Sequence, residues 1–217
     1  VSVMTDLEAP LPSVTIPDNL KEQDILGLDV GIKTLMTLSD GTIYDNPKAY
    51  AKARAKLRRS QRAVSRKKKG SKNRDKAISR VQKQHYRVAC IRKDALHKAT
   101  SAVIGKHPKV LCVETLNVKG MVKNHSLAAS VSDAAFGEIL RQLAYKCARA
   151  GILLVRADRF YPSSKTCSGC GVVKSELALS ERVYSCVSCG LVLDRDLNAA
   201  KNLAFYAANK VIRAAES

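Results

Sequence analysis

The chain has 217 residues, 46% of them hydrophobic, enough for one ordinary domain with a real core and a small insertion. Its longest apolar runs are strand-sized, such as "ILLV" at 152–155, far short of the roughly 18 residues of a membrane span. The first residues lack the basic, apolar, small-residue order of a secretory signal, so a soluble cytoplasmic protein is expected, with no membrane partner. Net charge is +19, and the stretch from Lys48 to Lys98 alone carries twenty Lys/Arg against Asp75 and Asp94. Packing almost all the net charge into a quarter of the chain is self-repulsive unless a polyanion relieves it, which points to nucleic acid.

Residues 1–23 hold three prolines and no sustained periodicity, as expected of a linker or the remnant of an upstream domain. "DILGLDVGIKTLMTLSDGTIY" (24–44) then reads as three antiparallel strands, with "SDG" as the last hairpin turn. After Pro47 the basic block turns helical. Tyr50, Ala53, Leu57 and Val64 share one side of a first helix, and Ile78, Val81, His85, Val88, Ala95, Ala99 and Val103 one side of a second, with "KKKGSKN" between them. The expected product is a helical hairpin over 48–105 with cations outside, among them Arg58, Arg59, Arg62, Lys67, Lys68 and Lys69. It would grip a phosphate backbone by charge, because only Tyr50 and Tyr86 supply aromatic rings there.

"KVLCVE" (109–114) is a strand buried on both faces that ends in an acid, "SDAAFGEILRQLAYKCARAG" (132–151) a helix stopped by Gly151, and "ILLVRA" (152–157) another buried strand. The helix would bury Phe136, Ile139, Leu140, Leu143 and Cys147, and Cys90 and Cys112 are also expected in the core. The last segment, "DRDLNAAKNLAFYAANKVI", carries a helical stripe of Leu197, Ala200, Leu203 or Ala204, and Ala207. Strands followed by alternating strands and helices give an α/β fold, one mixed sheet with helices on both faces.

Between the last strand and last helix, Cys167, Cys170, Cys186 and Cys189 form C-x2-C-x15-C-x2-C. Each pair can turn two thiolates toward one ion, and the intervening residues allow a hairpin to complete a tetrahedron. A structural Zn2+ is expected, with a redox dithiol the alternative; four sulfur ligands leave no position open for a substrate.

Catalytic groups must then lie elsewhere. Asp29 sits inside an apolar strand, Glu114 ends one, and Asp196 opens the final helix, positions where unpaired carboxylates are expensive. Singly, salt bridges would explain the first two and an ordinary helix N-cap the third. Together, if the first and fourth strands are neighbours, the three acids could hold Mg2+ for phosphodiester hydrolysis by a two-metal mechanism.

The successive stretches "GLDVGIK", "VETLNVKGM", "PSSKTCSGCG" and "DRDLNAAKN" resemble the signatures of the TnpB (OrfB) family of transposon-encoded proteins over roughly residues 24–210. The resemblance implies an RNase H-like (RuvC-like) nuclease domain over 24–157 and 194–217, interrupted at 158–193 by a zinc ribbon. It also implies an RNA-guided DNA endonuclease, related to type V CRISPR effectors and often labelled a transposase, with DNA and a guide RNA as partners. On that resemblance Asp29, Glu114 and Asp196 are the catalytic acids binding Mg2+, or Mn2+ in its place, with Asp194 the competing third position. Lys119, Gly120, Ser163, Ser164 and Lys165 match positions beside the substrate groove, Lys119 and Lys165 as phosphate contacts. The family carries about as much chain again upstream, for guide RNA and target recognition. A non-cleaving nucleic-acid-binding protein and a strand-transferring transposase are the rival readings.

Overall fold

The computed structural model describes residues 20–178 and 180–215; most of the 1–23 lead lies outside the described residues. A single 3-10 turn at Glu22–Asp24 leads into β1 (Ile25–Val30), β2 (Thr34–Leu38) and β3 (Ile43–Asp45). They pair antiparallel, β1 with β2 and β2 with β3. The expected Asp-Gly turn is present: Asp40 accepts from the Thr42 N–H at 2.9 Å, and Gly41 takes φ +88.

β4 (Val110–Val113) and β5 (Leu153–Arg156) add in parallel on the other side of β1, so the five-stranded sheet runs β3-β2-β1-β4-β5. An antiparallel meander extended by two parallel strands is the RNase H-like arrangement, and the mixed sheet agrees with the expectation. Side-chain alternation sorts the strands between two cores. Leu26, Leu28, Val30, Leu111 and Val113 face a core completed by α2 (Lys72–Ile104) and α5 (Phe136–Ala150). Ile25, Val110, Cys112, Val155 and Ala157 face Leu203, Ala207 and Val211 of α6 (Arg195–Ala215).

α6 lies unusually close to the sheet. A Cβ on Gly27 would overlap the carbonyl oxygen of Ala200 and stand 2.6 Å from the Ala204 nitrogen, so backbone meets backbone at the centre of β1. The small residues Ala199, Ala200 and Ala207 on the buried face permit the approach.

α1 (Ala49–Ser65) and α2 form the expected basic hairpin, joined through Leu57, Val88 and Ala49. Arg58, Arg59, Arg62, Lys67, Lys68 and Lys69 are all exposed on it. One buried acid fastens it to the body. Asp133 accepts from the Tyr50 N–H at 2.9 and 3.1 Å and the Ala51 N–H at 3.1 Å, capping α1 from outside its own segment, and it pairs with Arg92 of α2 at 3.2 Å. About two turns further along α2, buried Thr100 donates to Gln142 of α5 at 2.9 Å.

Two details differ from the sequence reading. The helix expected over 132–151 breaks at Ala135, which takes φ +54 and separates α4 (Ala128–Ala134) from α5. That left-handed joint is unfavourable for alanine, and it leaves Asp133 on a separate short helix against α1. Cys90 is exposed, two positions from Val88 and so on the other side of α2, whereas Cys112 and Cys147 are buried as expected, with burial pushing both thiols up to about 12.

Gly27→Ala cannot be absorbed by a rotamer change, since it meets backbone. Thermal unfolding should show a loss of about 3 kcal/mol, about 6–12 °C in Tm; an unchanged Tm would mean that α6 does not press on β1.

Candidate metal and carboxylate sites

Leu28 of β1 pairs with Val113 of β4, so the next residues of the two parallel strands, Asp29 and Glu114, stand side by side where β4 ends, with Asp29 still paired to Thr37 of β2. Both continue the series that faces α6, Asp29 after Ile25 and Gly27, Glu114 after Val110 and Cys112. The N-terminal turn of α6 then brings Asp196 to the same volume. Its Oδ2 accepts from the Thr34 hydroxyl at 3.3 Å, over the turn between β1 and β2 where a Cβ on Gly31 would stand 3.8 Å away. Glu114 accepts a very short hydrogen bond from the Ser163 hydroxyl.

Asp29 reports the closeness of the three acids. Burial beside the sheet pushes its carboxyl well above the usual range, the charges of Glu114 and Asp196 push it further, and Arg195 only partly opposes them. The salt bridges among the described residues, such as Lys109–Asp24 and Lys106–Asp40, do not include Asp29 or Glu114. Nor is Asp196 the helix cap. That role falls to Asp194, whose Oδ1 accepts from the Asp196 and Leu197 N–H groups at 2.9 and 3.1 Å. Asp194 is thereby occupied with backbone, and it ends β7 (Val192–Asp194) one residue before α6 begins. The result is a pocket of uncompensated negative charge, which a proton or a cation must relieve.

The cysteine segment forms a separate knuckle between β5 and α6. Its two-stranded sheet pairs β6 (Val183–Ser185) with β7, and the Thr166–Val173 bridge opposes it. The four Sγ atoms of Cys167, Cys170, Cys186 and Cys189 lie within 4.8 Å of one another, the cluster that can hold a metal ion among the described residues. Cys167–Cys189 and Cys170–Cys186 are each 3.6 Å apart. That is far beyond a disulfide bond of about 2.05 Å and close to the ~3.8 Å edge of a tetrahedron with zinc–sulfur bonds of about 2.3 Å. The thiols share their protons unevenly. Backbone N–H groups of Cys189 and Ser188 hold Cys186 down to about 6, while Cys189, opposed by the Leu191 N–H, is pushed up to about 12 through Cys170 and Cys167. Gly171 and Gly190, after the two pairs, take φ +77 and +75 as the knuckle turns require.

Two residues escaped the sequence reading, although their i, i+4 spacing in "LNAAKN" puts them on one face. Asn198 and Asn202 of α6 are buried. Asn198 accepts from the Ser168 N–H at 3.0 Å and donates to the Thr166 carbonyl at 2.7 Å, and Asn202 donates to the Ser163 and Thr166 carbonyls at 2.7 Å. They lock the root of the knuckle to α6 and, through Ser163, to Glu114. Lys165 is turned into the knuckle, donating to the Ser175 carbonyl at 2.8 Å. Lys119 is exposed on the short helix α3 (Val118–Lys123), beside Gly120, whose N–H donates to the capping Asn117 side chain. Ser164 lines a cavity near Glu114.

Residues 3–125 match the OrfB_IS605 family, described as "Probable transposase", and residues 136–203 match the Cas12f1-like TNB domain. A Streptomyces pristinaespiralis protein described as "Putative RNA-guided DNA endonuclease" is 46% identical over 178 residues, 82% of this chain and 44% of the relative. InsQ of Escherichia coli K12, with the same description, is 33% identical over 218 residues, 94% of this chain and 52% of InsQ. The chain therefore spans about half the length of these curated relatives. The solved Cas12f1–sgRNA–target DNA complex superposes with a TM-score of 0.57 over 83% of this chain and 49% of Cas12f1, at 18% identity, a likeness of fold.

Because Asp29 holds its proton more tightly when folded, its ionisation costs stability as pH rises through its raised pKa. In EDTA at pH 7, Asp29→Asn should therefore raise Tm by a few degrees, and the difference should shrink as pH falls and wild-type Asp29 becomes protonated. A lower Tm for the asparagine variant at pH 7 would contradict the proposed crowding of charge.

Proposed function

The chain belongs to the TnpB/OrfB (IS605) family, and from that premise we propose that it is a metal-dependent DNA endonuclease domain. The observation that carries this reading is the meeting of Asp29, Glu114 and Asp196 from two adjacent strands and the start of the last helix, with charge that Arg195 opposes only in part and that no salt bridge among the described residues neutralises. Hard oxygen ligands of this kind suit Mg2+, with Mn2+ able to substitute. When bound, such ions activate a water and neutralise the departing oxygen of a phosphodiester.

The chain's own residues supply the setting. The Ser163 and Thr34 hydroxyls fix Glu114 and Asp196 by hydrogen bonds. The basic hairpin binds nucleic acid through phosphates, so that it accepts any sequence. Selection of a target by a guide RNA is proposed for the full-length setting, on the descriptions of the relatives, with DNA in the cytoplasm of a prokaryotic cell as substrate. We assign the domain as 24–157 with 194–217, its hairpin as 48–105, and the ribbon as 158–193. The ribbon would hold Zn2+ on Cys167, Cys170, Cys186 and Cys189 as a structural ion. Support comes from the sulfur spacing and from the lack of any position left for a substrate.

Labelled single-stranded and duplex DNA, incubated with the purified chain in Mg2+ or in EDTA, should be cut only in Mg2+. Cutting should vanish in Asp29→Ala, while Asp194→Ala, which removes a helix cap worth about 1 kcal/mol, should lower Tm and leave cleavage measurable. DNA that is bound but never cut would favour a non-cleaving binding protein, and joined products a strand-transferring enzyme. Elemental analysis should find about one zinc per chain, lost in Cys189→Ser together with several degrees of Tm; full stability without zinc would sink the structural role.

A further inference from the structure

The basic hairpin is poor in aromatic rings, yet they gather elsewhere. Beside Glu114, a cavity of about 390 Å3 is walled by the Asp158–Lys165 segment and includes Phe160. A second, of about 480 Å3, shares Asp158 and Tyr161 with the first and runs along α6 to Phe205, Tyr206 and Lys210. Both volumes fall in the range of about 300–1,000 Å3 typical of small-ligand sites. Phe160 is 86% exposed and Phe205 66%, so two of the chain's three phenylalanines stand in solvent. Each cavity also seats a cation on a ring: the Arg159 guanidinium lies 5.4 Å from the Phe160 centroid, and the Lys210 ammonium 5.5 Å from that of Tyr206. Tyr161 and Tyr206 pack together with centroids 4.7 Å apart, and the Tyr161 hydroxyl is anchored on the Asn202 carbonyl, making the floor rigid.

We propose that these joined cavities are a track for unpaired DNA, in which Phe160 and Phe205 stack on nucleobases while Arg159 and Lys210 neutralise the backbone, leading a single strand toward Glu114. Exposed rings alternating with cations are what sequence-tolerant single-strand binding requires, because every base offers a face for stacking. A duplex, with its bases already stacked on one another, cannot use the rings. Asp158, at the junction of the two cavities, is the acid met before Glu114 and would repel phosphate, so the bases rather than the backbone should pass beside it. The division of labour follows: the hairpin holds nucleic acid by charge, and this face selects an unpaired strand next to the carboxylates. The inference rests on the proposed nuclease reading, but binding alone can test it.

The experiment uses the zinc-loaded chain without added Mg2+, so that no cleavage occurs, with oligonucleotides carrying 2-aminopurine, whose fluorescence is quenched by stacking. Phe160→Ala and Phe205→Ala should each weaken single-strand binding by between about 5-fold and about 150-fold and relieve the quenching. Duplex affinity should stay within about twofold. Phe160→Trp should restore binding and Phe160→Leu should not. Equal losses on single and double strands, full binding by the leucine variant, or a single strand that binds without quenching would each overturn the track. So would a change in oligomeric state in the alanine variants without a change in DNA binding, which would assign the exposed rings to a protein contact. Stacking that persists in a chain unable to cut DNA in Mg2+ would uphold the track while removing the nuclease reading.

Discussion

The placement of every group at the carboxylate site depends on one steric fact, the contact of the α6 backbone with Gly27 in the middle of β1. Helices normally rest on a sheet through side chains, which leaves their distance and direction adjustable. Here backbone bears on backbone at Ala200 and Ala204, and the distance is set by atoms that have no rotamers. The same close approach delivers the first turn of α6 over the ends of β1 and β4, so Asp196 meets Asp29 and Glu114 without any long flexible side chain bridging the gap. Gly31 does the equivalent at the neighbouring turn, where a Cβ would come within 2.8 Å of the Thr34 carbonyl.

Charge is distributed by a similar logic of separation. Almost all the net positive charge lies on the hairpin, which is secured through Asp133, a single buried acid that caps α1 and pairs with α2. Uncompensated negative charge lies on the opposite face of the sheet, with α6. Had the lysines of the hairpin been able to reach the carboxylates, salt bridges would have filled the site and lowered the Asp29 pKa. Burial and repulsion raise it instead.

Much of this was legible in the sequence. Strands and long helices show as periodicity, the cysteine knuckle as spacing, and Asp29, Glu114 and Asp196 as acids in places that acids avoid. The choice between Asp194 and Asp196 was not, because a carboxylate that caps a helix and one that faces a pocket look alike until the backbone N–H groups are located. The break at Ala135 was hidden for a related reason, since alanine is the best helix former and only the tertiary demand for Asp133 at α1 accounts for the joint. Asn198 and Asn202 carry no signal of burial in the sequence, because their partners are backbone groups of a loop some thirty to forty positions earlier. The aromatic face was invisible because its rings come from two distant segments.

The hydrogen bond between Thr34 and Asp196 joins residues 162 positions apart, and it can form only once the cysteine knuckle and the start of α6 exist. A protein emerging from the ribosome N-terminus first will expose its basic hairpin well before the acid site, which stays incomplete until nearly all of 20–215 has been made. Contacts of such long range form late in folding as well. The order of synthesis therefore separates the two charged features in time: the basic hairpin is complete long before the three acids can meet.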